Sequence, residues 1–244
     1  MSLELLLTIS KYLTFLSSFA FVGLLLSMSV LTHNDKGSHS TNSLALRRKE
    51  SLIGLIWFFS SLTFIIATLA DILGVRFLDA LDMTTVRSFV SEILIARYLL
   101  AQTLVAFFAG YIILRLKRVI PTLFLLLISL IAIAAPALES HSASGGSHAL
   151  ATGSMLLHVA GLTLWVGGLF ALTFLSAEDR KMAVPRFSVM AFWAAIVVVL
   201  SGLINAWARL NFREAWDSTY ARVIILKTIL TGVLLFMGYL HRKN

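Results

Sequence analysis

Cysteine is absent from this 244-residue chain. Without thiols there is no disulfide framework, no thiolate metal site and no thiol redox chemistry. Any soft-metal site must therefore use histidine, methionine or backbone groups. Charge is also scarce: 13% of the residues are charged and 59% are hydrophobic, against about 25% and 45–50% in soluble domains. That deficit excludes a soluble globular fold of this length. Enzyme signatures are missing too. No paired carboxylates lie inside an apolar stretch, and there is neither a phosphate-cradling glycine loop nor a Walker-type sequence. No catalytic residues are expected, and any transport would have to be driven by gradients, metal sinks or a partner.

What is present is a succession of apolar runs long enough to cross a bilayer, which takes about 20 residues each. Seven segments qualify, near 12–31, 52–73, 98–114, 120–138, 153–175, 187–207 and 223–240. The first is too long for a signal-peptide core and lacks a small-residue cleavage site after it, so it is taken as a span. With no repeat of fixed period and no soluble module, the expectation is an all-α polytopic transmembrane bundle forming a single membrane domain over 1–244.

The net charge of +8 is unevenly distributed. Lys36, Arg47, Arg48, Lys49, Arg115, Lys117, Arg118, Arg180, Lys181, Arg186, Arg242 and Lys243 fall on one side of the alternating spans, while the alternate loops hold Arg76, Arg87, Arg209 and Arg213. Basic loops mark the cytoplasmic side, which predicts the amino terminus outside and the carboxyl terminus in the cytoplasm. The basic residues are thus accounted for by the lipid bilayer, and no nucleic-acid partner is expected. The second loop mixes Phe77, Leu78, Leu81, Val86 and Phe89 with Asp79, Asp82 and Arg87, the pattern of a short helix lying on the outer surface.

Ionisable and strongly polar residues within spans cost roughly 2.5–3.5 kcal/mol each at the helix centre on insertion scales and so point to function. Asp71, Arg97, Gln102, Met155, His158, Asn205 and Lys227 all fall in the outer half of the predicted bundle. Together they predict a polar pocket open to the outside, with Asp71 paired to Arg97 or Lys227. Met155 and His158, spaced i, i+3, share a helix face, and thioether with imidazole suits Cu(I). His141 and His148 flank a Gly/Ser-rich outer loop from which a metal could be gathered and handed down. Lys227 opposes a cation at this site unless it is paired or deprotonated. Gly161, Gly167, Gly168 and Gly202, with Gly232, predict close packing of the last three spans as one unit. A haem protein is a weaker alternative, because only His158 lies well inside a span and His241 lies at the opposite face.

The stretch from His158 through Trp165 to Gly167-Gly168 resembles the His…Trp-x-Gly-Gly signature of the copper resistance protein D (CopD) family. Arg186-Phe187-Ser188, Leu200-Ser201-Gly202 and Thr219-Tyr220-Ala221-Arg222 followed by Lys227 are similar to further elements of that family, with Ala221 standing where the family usually has glycine. The likeness covers 153–243. The first four spans, including Arg97 and Gln102, resemble longer versions in which a CopD region is joined to a cytochrome c oxidase assembly region. The resemblance implies a multi-pass protein of the bacterial inner membrane that moves copper inward or supplies it for oxidase assembly. It also implies an extracytoplasmic copper chaperone or oxidase assembly factors as partners. A non-catalytic scaffold for copper delivery is the alternative.

Overall fold

The computed structural model describes residues 2–32, 43–116, 118–139, 148–209 and 216–243; for 43–45, 148, 208, 209, 220, 235, 239 and 241–243 it describes the backbone alone. Among the described residues the chain is helical and has no strand. Its helices are α1 (Leu3–Leu26), α2 (Ser43–Leu73), α3 (Met83–Glu92), α4 (Leu94–Ile112), α5 (Val119–Ala134), α6 (His148–Leu172), α7 (Ala177–Arg209) and α8 (Thr219–Lys243). Seven of them are long and apolar enough to cross a membrane. Their outward surfaces carry Leu, Ile, Val, Phe and Trp side chains, the expected finish for helices that meet lipid.

The helices outrun the apolar segments that announce them. α2 begins at Ser43, not Leu52, and α7 at Ala177, not Phe187, continuing through Pro185. Polar residues extend a helix past the hydrocarbon layer without cost, so hydropathy alone does not find the ends. The start of α7 is fixed by a reciprocal cap: Ser176 Oγ accepts from Asp179 N (3.1 Å) and donates to Asp179 Oδ2 (2.8 Å), satisfying a donor the helix leaves orphaned.

α1 is the axis of the bundle. In its most apolar stretch 72% of residues are buried, against 6% for α8. It packs on α2, α5 and α6; α2 packs on α4, α4 on α5, and α6 on α7. Glycines set the closest crossings, because between lipid-embedded helices only close backbone approach gains packing. A Cβ at Gly23 would lie 1.8 Å from the Gly167 carbonyl oxygen, and one at Gly54 would lie 2.8 Å from Gly110 Cα. The expected unit of the last three spans is corrected here. Gly161 does face α7, against Val197 and Val198, but Gly167 meets α1. Gly168 meets Phe187 and Leu26, and nothing lies within 4 Å of a Cβ at Gly232. Among the described residues α8 packs on no other helix across an extended face.

α1 also carries a buried row of hydroxyls, each supplied by its own helix. Ser10, Thr14, Ser17 and Ser18 donate to the carbonyls of Leu7, Ser10, Leu13 and Phe15 at 3.1, 2.8, 2.5 and 2.9 Å. After Leu26 the chain widens into a π-helix, Ser27–Leu31. Arg186 of α7 holds its end, donating to the Val30 and Leu31 carbonyls at 3.5 and 3.1 Å.

The amphipathic second loop does form a helix, α3. Phe89 anchors it in a small core with Ile65, Ile66, Leu69, Ala96 and Leu99, while Leu78 stays 74% exposed. Asp82 caps it, accepting from Thr85 N (2.9 Å) and Thr85 Oγ1 (2.8 Å). The backbone hydrogen bond from Thr85 is the first cause holding the Asp82 carboxyl below the ordinary aspartate range. A depressed folded pKa stabilises the helix above the unfolded value, and the contribution disappears as pH falls through the folded value. The protection of the Thr85 amide, taken relative to intrinsic exchange at each pH, should therefore fall as pH is lowered through that range, and in Asp82→Ala it should be low at every pH. Hydrogen-exchange mass spectrometry would check both.

Candidate metal centre

The site is built between α6 and α7. Ser154, Met155 and His158 occupy little more than one turn of α6, and Val198, Ser201 and Asn205 line one face of α7 at i, i+3, i+7 spacing. His158 Nδ1 lies 3.0 Å from the Val198 carbonyl oxygen and 3.1 Å from Ser201 Oγ. A carbonyl can only accept, so Nδ1 carries the ring proton and donates it. Ser201 Oγ donates its own hydrogen to the Val197 carbonyl at 2.5 Å, which leaves its lone pairs toward the imidazole. The tautomer is therefore set by α7, and Nε2 keeps the free lone pair. An outer hydrogen bond of this kind is what orients and strengthens a ligating histidine. Gly202 makes room for the ring, since a Cβ there would lie 3.4 Å from His158 Cε1.

Asn205 ties the second donor into the same place. Its Oδ1 accepts from Ser154 Oγ at 3.0 Å and its Nδ2 lies 3.9 Å from Met155 Sδ. Met155 and His158 are both half-buried. Together they present a thioether and an imidazole nitrogen, the soft pair that favours Cu(I) and that needs no deprotonation of methionine. Among the described residues no three His, Cys, Asp or Glu side chains converge as a metal site. Lys227 of α8 is exposed, and its charge reaches His158.

The remaining polar residues do not join this site, which corrects the single outward pocket expected from the sequence. Asp71 is exposed at the end of α2, Gln102 is buried in α4, and both belong to the α1–α2–α4 side of the bundle. Arg97 does not reach Asp71: its Nε donates to the Val90 carbonyl at 3.1 Å and its Nη2 to the Ser91 carbonyl, closing the end of α3. Among the described residues the ion pair is Arg76 Nε–Asp79 Oδ2 at 2.8 Å, with no pairing of Asp71 to Lys227. The cause is geometric. Hydropathy and loop charge place a residue by depth, whereas the side of the bundle it faces depends on helix rotation and packing order. His141 lies outside the described residues, as does the His148 side chain; the His148 backbone opens α6, about 15 Å along the helix from His158 at 1.5 Å per residue. Ser154 has no part in the sequence motifs, and Ser201 enters them only within the Leu200-Ser201-Gly202 element. The signal for both is their place one turn before His158 and Asn205 on the same helix.

Comparison with known proteins reaches the elements at Arg186–Ser188, Leu200–Gly202 and Thr219–Lys227, while the His158–Gly168 stretch lies between the matched ranges. Residues 181–244 match the family profile described as copper resistance protein D, and residues 2–150 match that of the copper resistance protein D-like N-terminal domain. Copper transport protein CutJ of Bacillus subtilis (strain 168) is 30% identical over 94 residues, a match that takes in 35% of this chain and 17% of that protein. No solved structure matches the chain.

Proposed function

We propose, from the premise that this chain belongs to the copper resistance protein D family, that it is a membrane domain that binds Cu(I) between α6 and α7 and passes it across the bilayer. Copper is the cargo here. His158 supplies Nε2, Met155 supplies Sδ, and Ser201, Val198 and Asn205 hold those two donors in place. The observation that carries this reading is the 3.0 Å approach of His158 Nδ1 to the Val198 carbonyl; a carbonyl only accepts, so Nδ1 is the donor and the other ring nitrogen is left available for a metal. The orientation that fits is the one loop charge predicts, with the beginning of α6 facing outward and the bilayer being the plasma membrane of a bacterium. Copper would then arrive from an extracytoplasmic donor, and a cytoplasmic or oxidase-assembly acceptor would draw it through.

The direct test loads purified protein with Cu(I) under reducing conditions and counts retained copper. A stoichiometric ion seen by X-ray absorption with nitrogen and sulfur neighbours supports the proposal; retention no greater than that of empty detergent micelles ends it. The charge on Lys227 works against a cation at His158. Lys227→Met is therefore expected to tighten Cu(I) binding, and the gain should shrink as ionic strength rises. Competition with a Cu(I) chelator at two salt concentrations would measure it.

A further inference from the structure

A second polar centre lies away from the metal site, at the other end of α1 and the beginning of α2. Glu50 is fully buried in α2, and neither carboxylate oxygen has a hydrogen-bond partner among the described residues. Among the described glutamates it is the only one that is buried. Register places it beside the π-helix of α1. Phe21 and Trp57 stack with centroids 5.5 Å apart, and a Cβ at Gly54 would lie 3.1 Å from the Phe21 ring. From that level Glu50 lies about 6–10 Å along α2, and Ser27 lies about 9 Å along the antiparallel α1, in the same direction. Ser27 is itself fully buried, with an unpartnered Oγ. It also begins the π-helix, a conformation that recurs at functional positions.

A buried carboxylate with no donor is too costly to persist as a bare anion. A proton or a cation would relieve it. The surrounding positive charge disfavours a bound metal ion, and burial disfavours the bare anion. Arg47, one turn away and buried, is the charge that acts on Glu50, and a metal ion would meet its guanidinium. The other charged groups are engaged elsewhere or exposed: Lys49 lies over the Phe174 ring at 5.3 Å, Arg115 bonds Tyr111, and Arg186 holds the α1 carbonyls. Asp179 is tied to Ser176, Arg48 and Arg118 are exposed, and α1 contributes no titratable side chain between Tyr12 and Thr32.

The geometry points to Glu50 as a proton-exchange site within the membrane domain. Its carboxyl releases H⁺ toward the water at that end of the bundle, leaving a carboxylate, and takes one up in the reverse step. Intramembrane carboxyls of this kind form proton relays in transporters. If copper moves through this domain, proton exchange at Glu50 is the step that would couple it to a pH gradient. That coupling rests on the copper proposal; the proton site does not.

Infrared spectroscopy of the purified full chain tests it. A protonated-carboxyl C=O band should be present, should shift when glutamate alone is carbon-13 labelled, and should be lost in Glu50→Gln. The labelled wild type gives the answer even if the variant fails to fold. Absence of a labelled band at neutral pH, where exposed glutamates are ionised, or its persistence in folded Glu50→Gln, overturns the inference; the first result would mean a carboxylate paired with Arg47 or a cation. In proteoliposomes, Glu50→Gln should keep Cu(I) binding but lose any dependence of uptake on a pH gradient, and unchanged gradient dependence would remove the coupling. A wild type with the band but no bound copper would leave the proton site standing and remove the copper proposal.

Discussion

His158→Ala should weaken Cu(I) binding by more than about 100-fold, or about 2.8 kcal/mol. Loss of an outer-shell partner costs a metal site roughly 10–100-fold; loss of a donor in a site with two soft protein ligands should exceed that. Ser201→Ala provides the internal scale, because it removes one of the two acceptors near Nδ1 and leaves the Val198 carbonyl, 3.0 Å from the ring nitrogen. It should fall within the outer-shell range. Met155→Leu keeps the volume and removes the sulfur, so the sulfur neighbour should vanish from the X-ray absorption spectrum. The measurement is competition against a Cu(I) chelator under reducing conditions. Wild-type affinity in His158→Ala would remove the site, whatever the family implies.

Gly23→Ala should separate two helices at the cost of one methyl group. The new Cβ would sit 1.8 Å from the Gly167 carbonyl oxygen and 2.2 Å from its carbonyl carbon. Both are backbone atoms, so no rotamer change can relieve the contact and α1 must move away from α6. Overpacking by side chains costs typically 1–3 kcal/mol, and a clash between backbones should reach at least the top of that range. The control is the same substitution at Gly232, where nothing lies within 4 Å of the added carbon; there alanine should be neutral or slightly stabilising through helix propensity. Thermal unfolding in detergent, read by loss of monodispersity, compares them. Equal melting of Gly23→Ala and wild type would contradict the α1–α6 crossing.

The spans were legible because each must be apolar for about 20 residues. Their ends were not, as α2 and α7 show by running on through Arg47-Arg48-Lys49 and through Pro185. His158, Met155 and Asn205 could be grouped by depth, and α6 and α7 do bring them together. Asp71 and Arg97 share that depth but face another part of the bundle, and nothing in a single sequence encodes the rotation that separates them. Glu50 was hidden for the opposite reason. It follows three basic residues and reads as the edge of a solvated loop, yet Leu46, Glu50 and Trp57 fall on one helical face and all three are buried. Only a helix begun earlier, at Ser43, makes that face visible.

The self-supplied hydroxyls of α1 bear on how the bundle is assembled. This helix is made before the others described, and its glycine partner Gly167 lies well over a hundred residues further along the chain. Because Ser10, Thr14, Ser17 and Ser18 each donate to a carbonyl of their own helix, α1 can wait in lipid during synthesis with these four hydroxyls already satisfied. The same row that ends up at the centre of the finished molecule is already solvated, by its own backbone, before any neighbour arrives.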